Sequence, residues 1–174
     1  PSDWSSDVCS SDLIELSQAL NNELQKHQHL KNIQIWFEPG KALVSNAGYF
    51  LTQATVVKPT PSCSFVGVNS GFHQLIRPML YEAYHHIENL SNPDGKLKPY
   101  HVVGQICETD TFATDRLLPE VNVGDILRFH NTGAYSFSMS SQYNSRTRPA
   151  EVAIYQGMDY LIREAETLDD ITYK

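Results

Sequence analysis

Arg77 and Tyr81 are four residues apart, so on a helical turn they face the same way and could together grip one carboxylate. Taken alone, an arginine before Pro78 is more often a surface residue. Cys107 and Glu108 close the apolar run 102–106, where burial statistics favour an inert structural thiol. Glu38-Pro39-Gly40 reads by itself as a turn carrying a solvated acid, and Lys41 follows as a point charge. Tyr135, after Gly133-Ala134, would as a lone aromatic be a core residue. His73, His85, His86, His101 and His130 show no metal-ligand spacing on one face with carboxylates, so no metal site is expected.

These side chains need elements to hold them. Leu16, Leu20 and Leu24 recur every four residues with Leu13 and Ile14 beside them, which predicts an amphipathic helix ending near His29. The apolar run 33–37, stopped by Glu38-Pro39-Gly40, predicts a buried strand entering a turn, so that helix and strand together form the tail of an α/β unit. Beyond Gly40 the texture becomes β-rich, with strands expected at 42–57, 64–68, 101–108, 125–131, 151–155 and 160–164. Turn signals separate them at Lys58-Pro59-Thr60-Pro61, Ser91-Asn92-Pro93-Asp94-Gly95 and Val123-Gly124-Asp125. Short helical turns are expected within 71–84 and 136–143. The expected fold class is mainly β: a mixed, mostly antiparallel sheet or barrel over 41–174, preceded by the last helix and strand of a β/α barrel over 14–40.

The 13 Lys and Arg against 20 Asp and Glu give a net charge of −7, and the cations are scattered rather than gathered on one stripe. That argues against nucleic acid or an acidic membrane as partner. No apolar run reaches membrane-spanning length, and no basic-then-apolar leader opens the chain. Cys9, Cys63 and Cys107 are odd in number and lack CxxC spacing, which fits free thiols in a reducing compartment and a soluble, cytoplasmic protein. Residues 3–13 are polar and of low complexity, and they resemble the in-frame translation of a short-read sequencing adapter. Residues 1–13 are therefore expected to be an artefactual or disordered tail, without which the loss of Asp3, Asp7 and Asp12 brings the charge from −7 to −4.

Five stretches in order carry a resemblance: Glu38-Pro39-Gly40-Lys41, Arg77-Pro78-Met79-Leu80-Tyr81, Gly104-Gln105-Ile106-Cys107-Glu108-Thr109, Gly133-Ala134-Tyr135, and Tyr143-Asn144-Ser145-Arg146-Thr147-Arg148-Pro149-Ala150-Glu151. Together they resemble the diaminopimelate decarboxylases of fold type III over essentially all of 14–170, with the chain as a C-terminal piece. That resemblance implies pyridoxal 5'-phosphate as cofactor, meso-diaminopimelate as substrate, L-lysine and CO2 as products, and a homodimer whose active sites lie at the interface.

The same resemblance implies the site. Glu38 would hold a proton on the cofactor's pyridine nitrogen at the end of the last barrel strand. Gly40 would let backbone approach the phosphate, Lys41 would contact phosphate or carboxylate, and Tyr135 would lie near both cofactor and substrate. Arg77 and Tyr81 would take the substrate's distal carboxylate and Glu108 its distal ammonium. Cys107, reaching into the partner's active site, would return a proton to the α-carbon after CO2 leaves. Lys41 stands where many members have Arg, and it lacks the bidentate fork. Asn69, where relatives often have Asp, is a second departure. Relatives acting on ornithine typically carry Asp after the cysteine and lack Arg-Pro-x-x-Tyr, and both differences favour diaminopimelate.

The Schiff-base lysine lies far upstream of residue 14 in the family, and none of Lys26, Lys31, Lys41, Lys58, Lys96, Lys98 or Lys174 stands at that position. The chain by itself is accordingly expected to be inactive. The alternatives are a catalytically inactive, decarboxylase-like binding or dimerisation domain, and an ornithine or arginine decarboxylase relative.

Overall fold

The computed structural model describes residues 12–27, 29, 33–36, 38 and 40–172. The expected tail over 1–13 therefore lies outside the described residues as far as residue 11, and Asp12 already opens a helix. That helix, α1 (Asp12–Lys26), stops short of the expected end near His29. Leu20 and Leu24 of its apolar stripe are half-buried, whereas Ile14 and Leu16 are exposed.

The strand expected at 33–37 is absent over 33–36, and Phe37 lies outside the described residues. Residues 33–36 take no regular structure, and Ile33, Ile35 and Trp36 are exposed. A buried parallel strand needs hydrogen-bonded neighbours and covered faces, and no described strand pairs with this segment. The first half of the strand expected at 42–57 is helical instead: α2 (Gly40–Val44) runs into a 3-10 turn at Ser45–Ala47.

The sheet then follows. Its strands are β1 (Phe50–Pro59), β2 (Ser64–Val68), β3 (Ile87–Asn89), β4 (Leu97–Val103), β5 (Thr111–Pro119) and β6 (Ile126–Phe129), hydrogen-bonded in the order β3-β6-β1-β2-β4-β5. All pairings are antiparallel except β2 with β4, which makes the sheet mixed but mostly antiparallel, as expected. The two terminal strands of that order, β3 and β5, lie against each other, so the sheet nearly closes. Arg116 of β5 helps to join them by donating to the His85 carbonyl (2.9 Å) and lying 4.0 Å over the Tyr84 ring. Near closure of this kind covers the free edges at which sheets aggregate. β3 and β5 were not expected from the sequence, and β4 ends at Val103 rather than at residue 108.

The core sits inside this curved sheet. Ala54, Val66, Val68, Ile87, Val102, Phe112, Leu118, Leu127 and Phe129 point inward from the strands, and Leu75 plugs them from the connection between β2 and α3 (Arg77–Tyr81). A separate hairpin, β7 (Glu151–Tyr155) with β8 (Met158–Arg163), and the short α4 (Leu168–Thr172) complete the chain. Glu166 ties this region back, accepting from the Arg148 backbone N–H (2.8 Å) and side chain (2.7 Å).

Candidate active site

The loop after β6 is stitched onto α2 and its 3-10 turn. Gly133 N–H donates to the Ser45 carbonyl (2.9 Å), Thr132 N–H to the Gly48 carbonyl (3.0 Å), and the Ser45 hydroxyl to the Asn131 carbonyl (2.9 Å). This places Tyr135 directly above Gly40. A Cβ on Gly40 would fall 2.1 Å from the Tyr135 hydroxyl oxygen, so position 40 has no room for a side chain while Tyr135 stays where it is. Tyr135 itself holds φ 58, the left-handed region that a bulky residue enters only when its surroundings impose it.

Arg77 opens α3, one helical turn that starts with Pro78 at a position where its missing N–H costs nothing. Its guanidinium carbon lies 5.6 Å from the Tyr81 ring centre and 5.9 Å from that of Tyr135. Arg77 is 95 % buried (relative exposure 5 %), and its Nε and Nη2 have no hydrogen-bond partner. Among the described residues no carboxylate pairs with it. A buried cation left so is costly, and such donor groups are normally matched by an anion.

His85, also buried, lies in the field of Arg77, Lys41 and Arg116. Its Nδ1 bonds to the His130 carbonyl (2.8 Å), which requires the proton on Nδ1 and leaves Nε2, buried and unpartnered, as an acceptor. Burial above all, with these cations behind it, holds His85 below the usual imidazole range against the pull of the carbonyl.

Cys107 and Glu108 form a second group. Both are exposed, so Cys107 is not the buried thiol that its apolar run suggests. The chain leaves the sheet after Val103 because Asp110 folds the loop over itself. One carboxylate oxygen accepts from Phe72 N–H (2.8 Å) and the other from Ile106 N–H (3.0 Å), while the Asp110 carbonyl accepts from Gly104 N–H (2.8 Å). A Cβ at Gly104 would come within 2.0 Å of that carboxylate. Burial pushes the Asp110 carboxyl up against the downward pull of its two N–H donors.

Held in this way, the Cys107 thiol donates to Glu108 (3.3 Å), and the Tyr143 hydroxyl donates to the other Glu108 oxygen (2.6 Å). The Tyr143 bond is the chief reason the Glu108 carboxyl sits below the usual carboxylate range, and Glu108 in return raises the Tyr143 phenol. In the sequence Tyr143 is only one member of the 143–151 motif. Its place 35 residues downstream of Glu108 explains why spacing gave it no role.

The structure thus brings Arg77, Tyr81, Tyr135 and Gly40 together, and separately Cys107, Glu108 and Tyr143. Among the described residues Cys107 and Glu108 share no hydrogen bond, ion pair or ring contact with Arg77, Tyr81 or Tyr135. Glu38 is exposed and outside any strand, its carbonyl accepting from Gly40 N–H (2.9 Å), rather than at a strand's end as expected. Lys41 is half-buried on α2. Contrary to the expectation of no shared face, His86, Glu88 and His130 converge at the β3 end of the sheet, with ligand-type atoms within 4.8 Å of one another. His130 comes from β6's far end, 42 residues beyond Glu88, where no local spacing could reveal it.

A nearly closed mixed sheet that carries a buried, unpaired guanidinium between two tyrosines offers a place for an anion. The family described as pyridoxal-dependent decarboxylase, C-terminal sheet domain, matches residues 8–133, and the chain belongs to that family. A diaminopimelate decarboxylase of Methanothermobacter thermautotrophicus is 48 % identical over 136 residues, 77 % of this chain and 32 % of that protein. The crystal structure of the diaminopimelate decarboxylase of Methanocaldococcus jannaschii superposes with a TM-score of 0.80 at 37 % identity, covering 92 % of this chain and 37 % of that one. The same protein in complex with L-lysine gives 0.79 at 36 % identity over 91 % and 37 %. The chain spans about a third of the length of the relatives it matches.

Proposed function

We propose that this chain supplies the substrate-facing part of a pyridoxal-phosphate-dependent decarboxylase that converts meso-diaminopimelate to L-lysine and CO2. The observation that carries the reading is Arg77: a buried guanidinium with two free donor atoms, walled by Tyr81 and Tyr135, is complementary to a carboxylate or phosphate oxygen pair. Its fit to an anion also supports the family's cofactor. Lys41 and Tyr135 would hold the phosphate, and Glu38 would keep a proton at the ring nitrogen. Bound pyridoxal phosphate supplies an electron sink for the pair left on the α-carbon when CO2 departs.

In this reading Arg77 and Tyr81 take the distal carboxylate of the substrate and Glu108 its distal ammonium. The Tyr143 hydrogen bond supports that role by stabilising the charged form of Glu108. Cys107, exposed and next to Glu108, returns a proton to the α-carbon. The separation of the Cys107 group from the Arg77 group supports a homodimer in which each active site takes Arg77 from one copy and Cys107 from the other. No helix among the described residues is long and apolar enough to cross a membrane. We place the protein in the cytoplasm, whose reducing conditions suit the free thiols Cys63 and Cys107.

The test is kinetic, in protein competent for turnover. meso-Diaminopimelate should be decarboxylated with a kcat/KM above that for ornithine or lysine by roughly 10⁴-fold, as expected where a site built for a charged group meets a ligand lacking it. Equal or better use of ornithine would sink the substrate assignment.

A further inference from the structure

We propose that His86, Glu88 and His130 form a three-ligand site for a divalent transition metal such as Zn2+. The fold builds it from sheet register. β3 pairs antiparallel with β6, Ile87 opposite Phe129 and Glu88 opposite Arg128, and His130 N–H donates to the His86 carbonyl (2.9 Å), so His86 lies opposite His130. Side chains alternate along a strand, which puts His86 and Glu88 on one face together with Arg128 and His130, while Ile87 and Phe129 turn into the core. The imidazoles are 5.1 Å apart between ring centres, and the edge of the Tyr49 ring meets His130 on its other side at 5.1 Å.

The carboxylate is already divided between its two oxygens. Oε2 accepts from Arg128 Nε (2.7 Å), from Arg128 Nη2 and from His130 Nε2 (2.8 Å), whereas Oε1 faces His86 Nε2 at 3.8 Å with no shorter contact recorded. Arg128 therefore holds Glu88 by one oxygen and leaves the other facing His86. Three ligand atoms within 4.8 Å of one another approach the edge of a zinc tetrahedron, about 3.3 Å for bonds of about 2.0 Å, and rotation of the exposed His86 closes the difference. Two imidazole nitrogens and one carboxylate oxygen, with water in the fourth position, make a borderline-soft set suited to Zn2+ or Co2+ rather than to Mg2+ or Ca2+. The Arg128 guanidinium on the outer oxygen orients the carboxylate, as groups behind metal ligands commonly do.

The test uses the tag-free 174-residue chain with Zn2+ by calorimetry and with Co2+ by visible absorption. One equivalent should bind, and the cobalt form should show ligand-field bands without the charge-transfer absorption of a thiolate. His86→Ala and His130→Asn should each weaken binding by roughly tenfold or more, whereas Cys107→Ser should leave it unchanged. Circular dichroism checks each fold. If His130→Asn fails to fold, His86→Ala decides, because that side chain is 53 % exposed and removing it leaves no buried gap. Absence of saturable binding, unchanged affinity in His86→Ala, or a thiolate charge-transfer band would each overturn the site.

Discussion

In the proposed function Arg77 serves binding at a cost to stability. Its buried guanidinium lacks a carboxylate among the described residues and leaves Nε and Nη2 unpaired, a desolvation cost set only against its contacts with the Tyr81 and Tyr135 rings. Replacement by an apolar side chain of similar length, Arg77→Met, should therefore leave the melting temperature unchanged or raise it, while affinity for the dicarboxylic substrate falls by roughly 10²-fold or more, as for a lost charged hydrogen-bond pair. A marked loss of stability would mean that the guanidinium has a structural partner. Cys107→Ala should keep cofactor binding and lose turnover by about 10²-fold or more, the usual range for a missing general acid. Near-normal turnover would remove the thiol from the mechanism. Tyr143→Phe removes the bond that chiefly lowers the Glu108 carboxyl, so the Glu108 titration should move up toward the ordinary carboxylate range when followed by NMR, the thiol bond remaining. An unmoved titration would show that the loop, rather than the phenol, sets its value.

At the scale of elements, His85 links α3 to the end of β6 and gives the fold a pH dependence with a defined sign. Its imidazole is held below 6.5 in the folded chain, while an unfolded histidine titrates near that value. As pH falls through 6.5 the unfolded state takes up the proton first, so this residue's contribution to stability declines in acid until its own folded value is reached. The melting temperature should fall below pH 6.5, and His85→Gln should make that fall shallower; an equal slope would assign the loss to other groups, of which His73, also lowered by burial, is the nearest in kind. What the sequence disclosed of these elements follows from local physics. β2, β6, β7 and β8 are apolar runs bounded by turn residues, and the Arg77–Tyr81 turn follows from a proline at its start. β5 escaped notice because polar residues 114–116 interrupt its pattern where Asp115 takes φ 48 and the register against β4 shifts. The apolar run to Ile106 suggests a strand ending in a buried thiol, and only the long-range bond from Phe72 N–H to the Asp110 carboxylate shows why the chain turns out to present Cys107 instead. Residues 33–36 show the opposite case, since apolar character alone does not make a strand where no strand among the described residues pairs with it.

At the scale of the whole molecule, the proposed function needs two groups of residues that share no contact in the chain to serve one site. The Arg77 group sits where the loop after β6 meets α2, and the Cys107 group on the loop between β4 and β5. A two-fold dimer solves this if each site takes one group from each copy, because an isologous interface presents every pair of groups twice. The arrangement can be tested by mixing two impaired variants, Cys107→Ala and Arg77→Met, assayed at substrate well below KM, in protein of the relatives' full length, since this chain spans about a third of them. The 174-residue chain alone should give no turnover with either variant or with neither. When equal amounts of the two full-length variants are dissociated and allowed to re-pair, half of the dimers are mixed. In a shared-site dimer each mixed molecule contains one site with both Arg77 and Cys107 intact and one with neither, so activity should return to roughly a quarter of the unsubstituted enzyme. If both groups served the same subunit, every site in the mixture would lack one of them and no activity would return. Recovery near a quarter, appearing only after re-pairing and scaling with the fraction of mixed dimer, is the expected outcome; none after verified subunit exchange would place Arg77 and Cys107 in one subunit's site and remove the interface from the catalytic reading.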